Sequence, residues 1–159
     1  MRQTFLLDEN IIYHAIRGVD RHDQPDTTAA ELLKAIRVIC HLIFVHPTLI
    51  EKYQKALKKM REDPPRHQEA NDFLKQFLYN DLKRVLNYGE LPPLPDAARE
   101  PPAVPREDEE IVQAALISNP IVVTDEPGLE DSVNAHHDIL GLTAMDAGEA
   151  LVFAESERV

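Results

Sequence analysis

Two short apolar runs in this chain stop abruptly on acids: Thr4-Phe5-Leu6-Leu7 at Asp8-Glu9-Asn10, and Ile121-Val122-Val123 at Thr124-Asp125-Glu126. Such runs read as buried parallel strands, and parallel sheets bind ligands beyond the carboxyl ends of their strands. Two more acids, Glu51 and Asp108, open helices whose starts can be brought to the same edge. Converging carboxylates repel one another unless oxygen-preferring cations such as Mg²⁺ or Mn²⁺ neutralise them. Asp8, Glu51, Asp108, Asp125 and Glu126 therefore form a candidate metal site. Each also has an ordinary reading, since Asp108, Glu109 and Glu110 suit a helix start and Asp125 suits a turn before Pro127. Asp8 stands apart, because an acid ending a buried strand beside Asn10 has little structural benefit.

Other chemistries lack their residues. Ser118, Ser132 and Ser156 sit in no Gly-x-Ser-x-Gly elbow, and five scattered glycines supply no phosphate-cradling loop. His136-His137-Asp138 has no further histidine at zinc spacing, and the sequence there reads as a surface turn.

The elements that must position the acids follow from periodicity. After the first strand, Ile11, Ile12, Ala15 and Ile16 make one helical face that Gly18 ends. Thr27 or Thr28 caps a second helix with the stripe Ala29, Leu32, Leu33, Ile36 and Ile39, and Cys40 completes its packed face. Leu42-Ile43-Phe44-Val45 is the next strand, and His46-Pro47-Thr48 turns into a helix carrying Leu49, Ile50, Tyr53, Ala56, Leu57 and Met60. After Pro64-Pro65 the spacing predicts a helix from His67 to Asn87, with Phe73, Leu74, Phe77, Leu78, Leu82, Val85 and Leu86 inward and an apolar face able to serve a dimer or the core.

The stretch from Leu91 to Pro105 is proline-rich and reads as an extended connection ordered by docking, so 64–105 resembles an insertion in a single domain of residues 1–159. A helix then buries Ile111, Ala114, Ala115 and Leu116. A strand at 121–123, a short helix near Leu129 to Ala135, a last strand from Ile139 to Thr143 and a helix capped by Asp146 complete the chain. Strands alternating with helices predict an α/β fold, a three-layer α/β/α arrangement around a central parallel sheet.

Composition narrows the class. At 159 residues, with 43% hydrophobic and 28% charged residues, the chain fits one soluble domain, and no apolar run reaches a bilayer span. Its opening residues lack a secretory apolar region and its one cysteine can form no internal disulfide, so a cytoplasmic location is expected. A net charge of −11 disfavours nucleic-acid binding by bulk attraction, yet it suits an enzyme that gathers carboxylates around metal.

These residues resemble the PIN domains, whose best-known members are the VapC-type toxin ribonucleases. The family pattern opens with an apolar strand and Asp-x-Asn, matched by Phe5-Leu6-Leu7-Asp8-Glu9-Asn10. A helix-borne acid follows, matched by Glu51 in His46-Pro47-Thr48-Leu49-Ile50-Glu51-Lys52-Tyr53, although relatives carry it directly before the residue matching Tyr53, where Lys52 stands here. The third acid precedes an alanine-rich helix, as Asp108 does. The last motif, a strand ending in Val-Thr-x-Asp or Val-Thr-x-Asn before a leucine, is matched by Val123-Thr124-Asp125-Glu126-Pro127-Gly128-Leu129. Counting from either side puts the family's last acid on Glu126, with Asp125 one residue early, and either could serve.

The resemblance implies a divalent-metal-dependent ribonuclease using Mg²⁺ or Mn²⁺. In it Asp8 would be the central ligand, Asp108 and Asp125 or Glu126 would share metal, and Glu51 would ligate or position water. Asn10 and Thr124 would hold the cluster by hydrogen bonds. Lys52, Lys55 and Lys59, spaced for one helical face, would contact RNA phosphates, against the plain alternative of a solvated face. Partners implied are an RNA substrate, an antitoxin protein and a second copy in a homodimer. Lys52 at an acid position and the shifted last acid also support a rival: a catalytically impaired PIN-like module binding protein or RNA. A nuclease for DNA is the third alternative, since nothing here reads the sugar.

Overall fold

Short strands with apolar side chains on both faces are stable only inside a sheet covered on both faces. The computed structural model, which describes residues 1–62 and 67–157, has such a sheet. Its strands are β1 (Thr4–Leu7), β2 (Leu42–Val45), β3 (Arg84–Leu86), β4 (Ile121–Val123) and β5 (Ala144–Met145), all parallel, in the order β3-β2-β1-β4-β5. Phe5 of β1 stands between Ile43 and Ile121, and Phe5, Leu6 and Leu7 are all buried.

The helices are α1 (Glu9–Arg17), α2 (Thr28–Val38), α3 (Pro47–Arg61), α4 (His67–Phe73), α5 (Glu109–Ala115), α6 (Pro127–Ala135), α7 (His137–Leu140) and α8 (Ala147–Ser156). α2 packs against α1 and α8, α3 packs against α1, α4 and α5, and α6 lies along β5. The result is the three-layer α/β/α architecture. No helix among the described residues is long and apolar enough to cross a membrane.

Local chemistry sets the boundaries. Gly18 ends α1 at φ +66°, a left-handed conformation cheap only without a Cβ. Neither threonine side chain caps α2, and the Asp26 carboxylate instead accepts from the Thr28 amide at 2.7 Å. Asp146 does cap α8, in a reciprocal capping box with Glu149. His41, fully buried, accepts from the Gln3 amide at Nδ1 and donates from Nε2 to Ala154 O, which ties β2 to the chain's start and to α8.

Beyond the α2 cap, four expectations need correction. The helix expected over His67 to Asn87 is α4, a π-helical turn (Leu74–Leu78), a turn and then β3. Asn80 and Asp81 break the helix: the Asn80 side chain accepts from the Leu82 amide, and Asp81 holds the Arg84 guanidinium, which also donates to Leu78 O. The chain beyond then satisfies β2, with the Ile43 amide donating to Lys83 O and the Asn87 amide to Val45 O. Leu82, placed inward by helical spacing, is 82% exposed, while the Leu74 side chain and Pro64-Pro65 lie outside the described residues.

Cys40 is exposed and left-handed at φ +66°, because α2 ends two residues before it, at Val38. The last strand is Ala144–Met145, since Ile139 belongs to α7 and Gly141 ends that helix at φ +67°. His136 is buried, not on a surface turn. Its Nε2 lies 3.0 Å from Glu100 O and 3.1 Å from Pro102 O, clasping the proline-rich stretch to α6. Leu94, Ala98 and Val104 bury the same stretch, and Gln113 donates to Pro92 O.

Candidate metal centre

The strand order reverses its winding at β1: β2 and β3 lie to one side, β4 and β5 to the other. Loops leaving β1 and β4 therefore diverge and open a crevice beyond their carboxyl ends, where parallel sheets bind ligands. Asp8 follows β1 and Thr124-Asp125-Glu126 follow β4. The Asp8 amide donates to Val123 O at 2.9 Å, so the two strand ends are stitched together at the crevice floor.

Three carboxylates meet there. One oxygen from each of Asp8, Asp108 and Glu126 lies within 4.8 Å of the others. Each of the three stands at the N-cap of a helix, α1, α5 and α6 respectively, and none makes a side-chain capping bond. A cap is worth about 1 kcal/mol for an aspartate, so Asp8 and Asp108 each forgo one while three positive helix ends face the acids. Asp8 is instead held by Thr124, whose hydroxyl donates to Oδ2 at 2.8 Å. That hydroxyl also accepts from the Glu126 amide at 3.1 Å, and Asn10 donates to Glu126 Oε1 at 2.6 Å. Tyr53, buried on α3, donates its hydroxyl to Leu7 O and pins the helix against the end of β1.

The carboxylates are electrostatically unsatisfied. Burial, then repulsion from Glu126 and Glu9, pushes Asp8 up to about 6 against the lowering effect of Thr124. Burial, then Asp8, Glu126 and Glu107, pushes Asp108 up to about 7. Asp108 Oδ2 is buried with no hydrogen-bond partner among the described residues. A buried carboxylate oxygen without a donor costs about 1–3 kcal/mol, and a divalent cation would satisfy it and neutralise the repulsion together. The donor set, all carboxylate oxygen, suits a hard cation of the Mg²⁺ or Mn²⁺ type.

The remaining expected residues lie elsewhere. Asp125 turns out of the cluster: its Oδ2 accepts from His14 Nδ1 at 2.8 Å and its Oδ1 from the Ala147 amide at 3.1 Å, joining α1 to α8. Glu51 is exposed, because Leu49, Tyr53, Leu57 and Met60 take the inward face of α3 and Glu51 falls on the opposite one. Lys52 reaches Glu107 O at 3.4 Å and Glu110 at 3.6 Å, bracing α3 against α5. Lys55 and Lys59 line a cleft beside Asn10.

Three contributors escaped the sequence pattern. Glu9 adds charge beside Asp8, His14 occupies Asp125, and Tyr53 fixes α3. His14 left a signal as a polar residue on the buried face of α1, and Tyr53 as a member of the inward stripe of α3, though neither pattern named its partner. A second acid group, Glu130, Asp146 and Glu149, is built around the α8 capping box.

No family model matches the chain, and no curated protein matches it. Among solved structures it is similar to a PilT N-terminus domain protein from the hyperthermophilic archaeon Sulfolobus solfataricus, with a TM-score of 0.50 and 12% identity over 96% of this chain and 93% of that one. At that identity the likeness concerns the fold alone, which is PIN-like.

Proposed function

We propose that this chain is a divalent-metal-dependent endoribonuclease whose metal ligands are Asp8, Asp108 and Glu126. The observation that carries it is the convergence of three acids at helix N-cap positions, none making a capping bond, at the crevice where the sheet reverses. Bound there, Mg²⁺ or Mn²⁺ would supply an acidified water and offset charge on a phosphodiester.

The chain's own residues do the rest. Thr124 orients Asp8 and keeps its Oδ2 occupied by a donor, while Asn10 fixes Glu126. Asp125 positions α1 relative to α8 and acts on the site through that contact. Glu51, exposed on the far face of α3, has no part in ligation in this proposal. RNA as substrate class, like a toxin role with an antitoxin partner, rests on the sequence resemblance.

The test is cleavage of labelled RNAs and single-stranded DNAs with Mn²⁺, Mg²⁺ or chelator, comparing wild type with Asp8→Asn. Metal-dependent RNA cutting that Asp8→Asn abolishes while staying folded supports the proposal. No cutting of any substrate, with no metal-induced stabilisation, would replace it with the catalytically impaired binding module. The toxin role is checked separately, by growth arrest on induced expression of wild type and its absence with Asp8→Asn.

A further inference from the structure

In a chain of net charge −11, cations grouped on one wall of a cleft need a reason. Lys55, Lys58 and Lys59 of α3 line one side of a cleft of about 540 Å³, and Tyr13 and Asn10 of α1 line the other. No ion pair among the described residues holds any of these lysines, whereas Lys52, one turn earlier, is committed to Glu110. Ala56, small and uncharged, lines the cleft between them.

That ring is held in place. Arg17 covers one face, its Cζ 5.1 Å from the ring centroid, and donates to the hydroxyl, so a base would stack on the opposite face. Asn10 belongs to two places at once, since it lines the cleft and its amide holds Glu126 in the acid cluster. Asn10 therefore joins one wall of the cleft to the acid cluster. Its two acids, Glu9 and Glu62, are carried at the start of α1 and just past the end of α3.

We infer that this cleft receives a single-stranded nucleic acid, with phosphates at Lys55, Lys58 and Lys59 and one base stacked on Tyr13. A rigid aromatic ring beside a row of ammonium groups is how sequence-tolerant strand binding is built. A duplex does not fit the same chemistry, because its bases are already stacked on both faces. The inference deepens the nuclease proposal by naming how the strand reaches its site, but binding and cutting fail separately.

The chain contains no tryptophan, so Tyr13→Trp places a unique indole, excitable apart from the remaining tyrosines, in the cleft. Labelled oligo(U), oligo(dT), an abasic strand and a duplex are titrated by anisotropy at low salt, with chelator present to prevent cutting. Both base-bearing strands are expected to bind more tightly than the duplex and to quench the Tyr13→Trp emission. Tyr13→Leu should weaken oligo(U) about tenfold and leave the abasic strand unchanged. Lys55→Gln with Lys59→Gln should weaken every strand and lower the salt slope by about 0.7 for each phosphate no longer neutralised.

The inference is overturned if wild type binds no strand, if the duplex binds equally well, or if a saturating strand leaves the Tyr13→Trp emission unmoved. It is overturned equally if the lysine variants keep wild-type affinity and slope. Strand binding with all these signatures but no cutting under any metal would sink the nuclease proposal and leave the cleft standing. Metal-dependent cutting with KM unchanged in the lysine and Tyr13 variants would do the reverse.

Discussion

Replacing the central acid should make the metal-free protein more stable. Asp8 is 5% exposed, and its raised pKa means that its ionised form destabilises the fold. A rise from the usual 3.8 to about 6 corresponds to a penalty of about 3 kcal/mol once Asp8 is charged. Asp8→Asn removes the charge and keeps an oxygen that can accept from Thr124. Partial relaxation of the site reduces the gain to about 1–2 kcal/mol, which for a chain of this length raises Tm by about 2–8 °C.

The sign depends on pH. Below about pH 4, Asp8 carries its proton in both folded and unfolded states, and the variant has no advantage. Between about pH 4 and 6 the folded state binds more protons than the unfolded one, so wild-type stability falls as pH rises. Asp108 extends that fall toward pH 7. The assay is denaturant unfolding of both proteins in chelator at about pH 4 and about pH 8. An Asp8→Asn variant equal to or weaker than wild type at the higher pH would refute the claim that the cluster is electrostatically strained.

Three other outcomes are expected. Mn²⁺ at about a hundredfold excess over its Kd should stabilise wild type by about 2.7 kcal/mol in thermal unfolding, a response that Asp108→Asn and Glu126→Gln lose and Glu51→Gln keeps. Asp125→Asn should cost about 1–3 kcal/mol of stability through His14 and the Ala147 amide yet retain most of the Mn²⁺ response, separating the two neighbouring acids by differential scanning calorimetry. Cys40→Gly should gain about 1 kcal/mol in denaturant unfolding, because Cys40 is exposed and left-handed at φ +66°.

The interior strands β1, β2 and β4 were legible because runs such as Phe5-Leu6-Leu7 admit one environment, a sheet buried on both faces. Asp8, ending such a run, was marked by the same local pattern. The edge strands were not legible: Val85 and Leu86 fit helical spacing, and only the unmet donors and acceptors of β2 make them a strand. Sequence could likewise not choose between Asp125 and Glu126, which are adjacent and chemically alike. His14 and the Ala147 amide, 111 and 22 residues away, claim Asp125, and Asn10, 116 residues away, claims Glu126. Glu51 is the opposite case, since the stripe Leu49, Tyr53, Leu57 and Met60 already turns it to the outer face of α3, and Tyr53 docking on Leu7 O fixes that orientation. Short-range patterning determined which residues could do chemistry, because burial and periodicity are local. Which carboxylates share one space was decided by long-range hydrogen bonds and by the strand order, which no stretch of sequence contains.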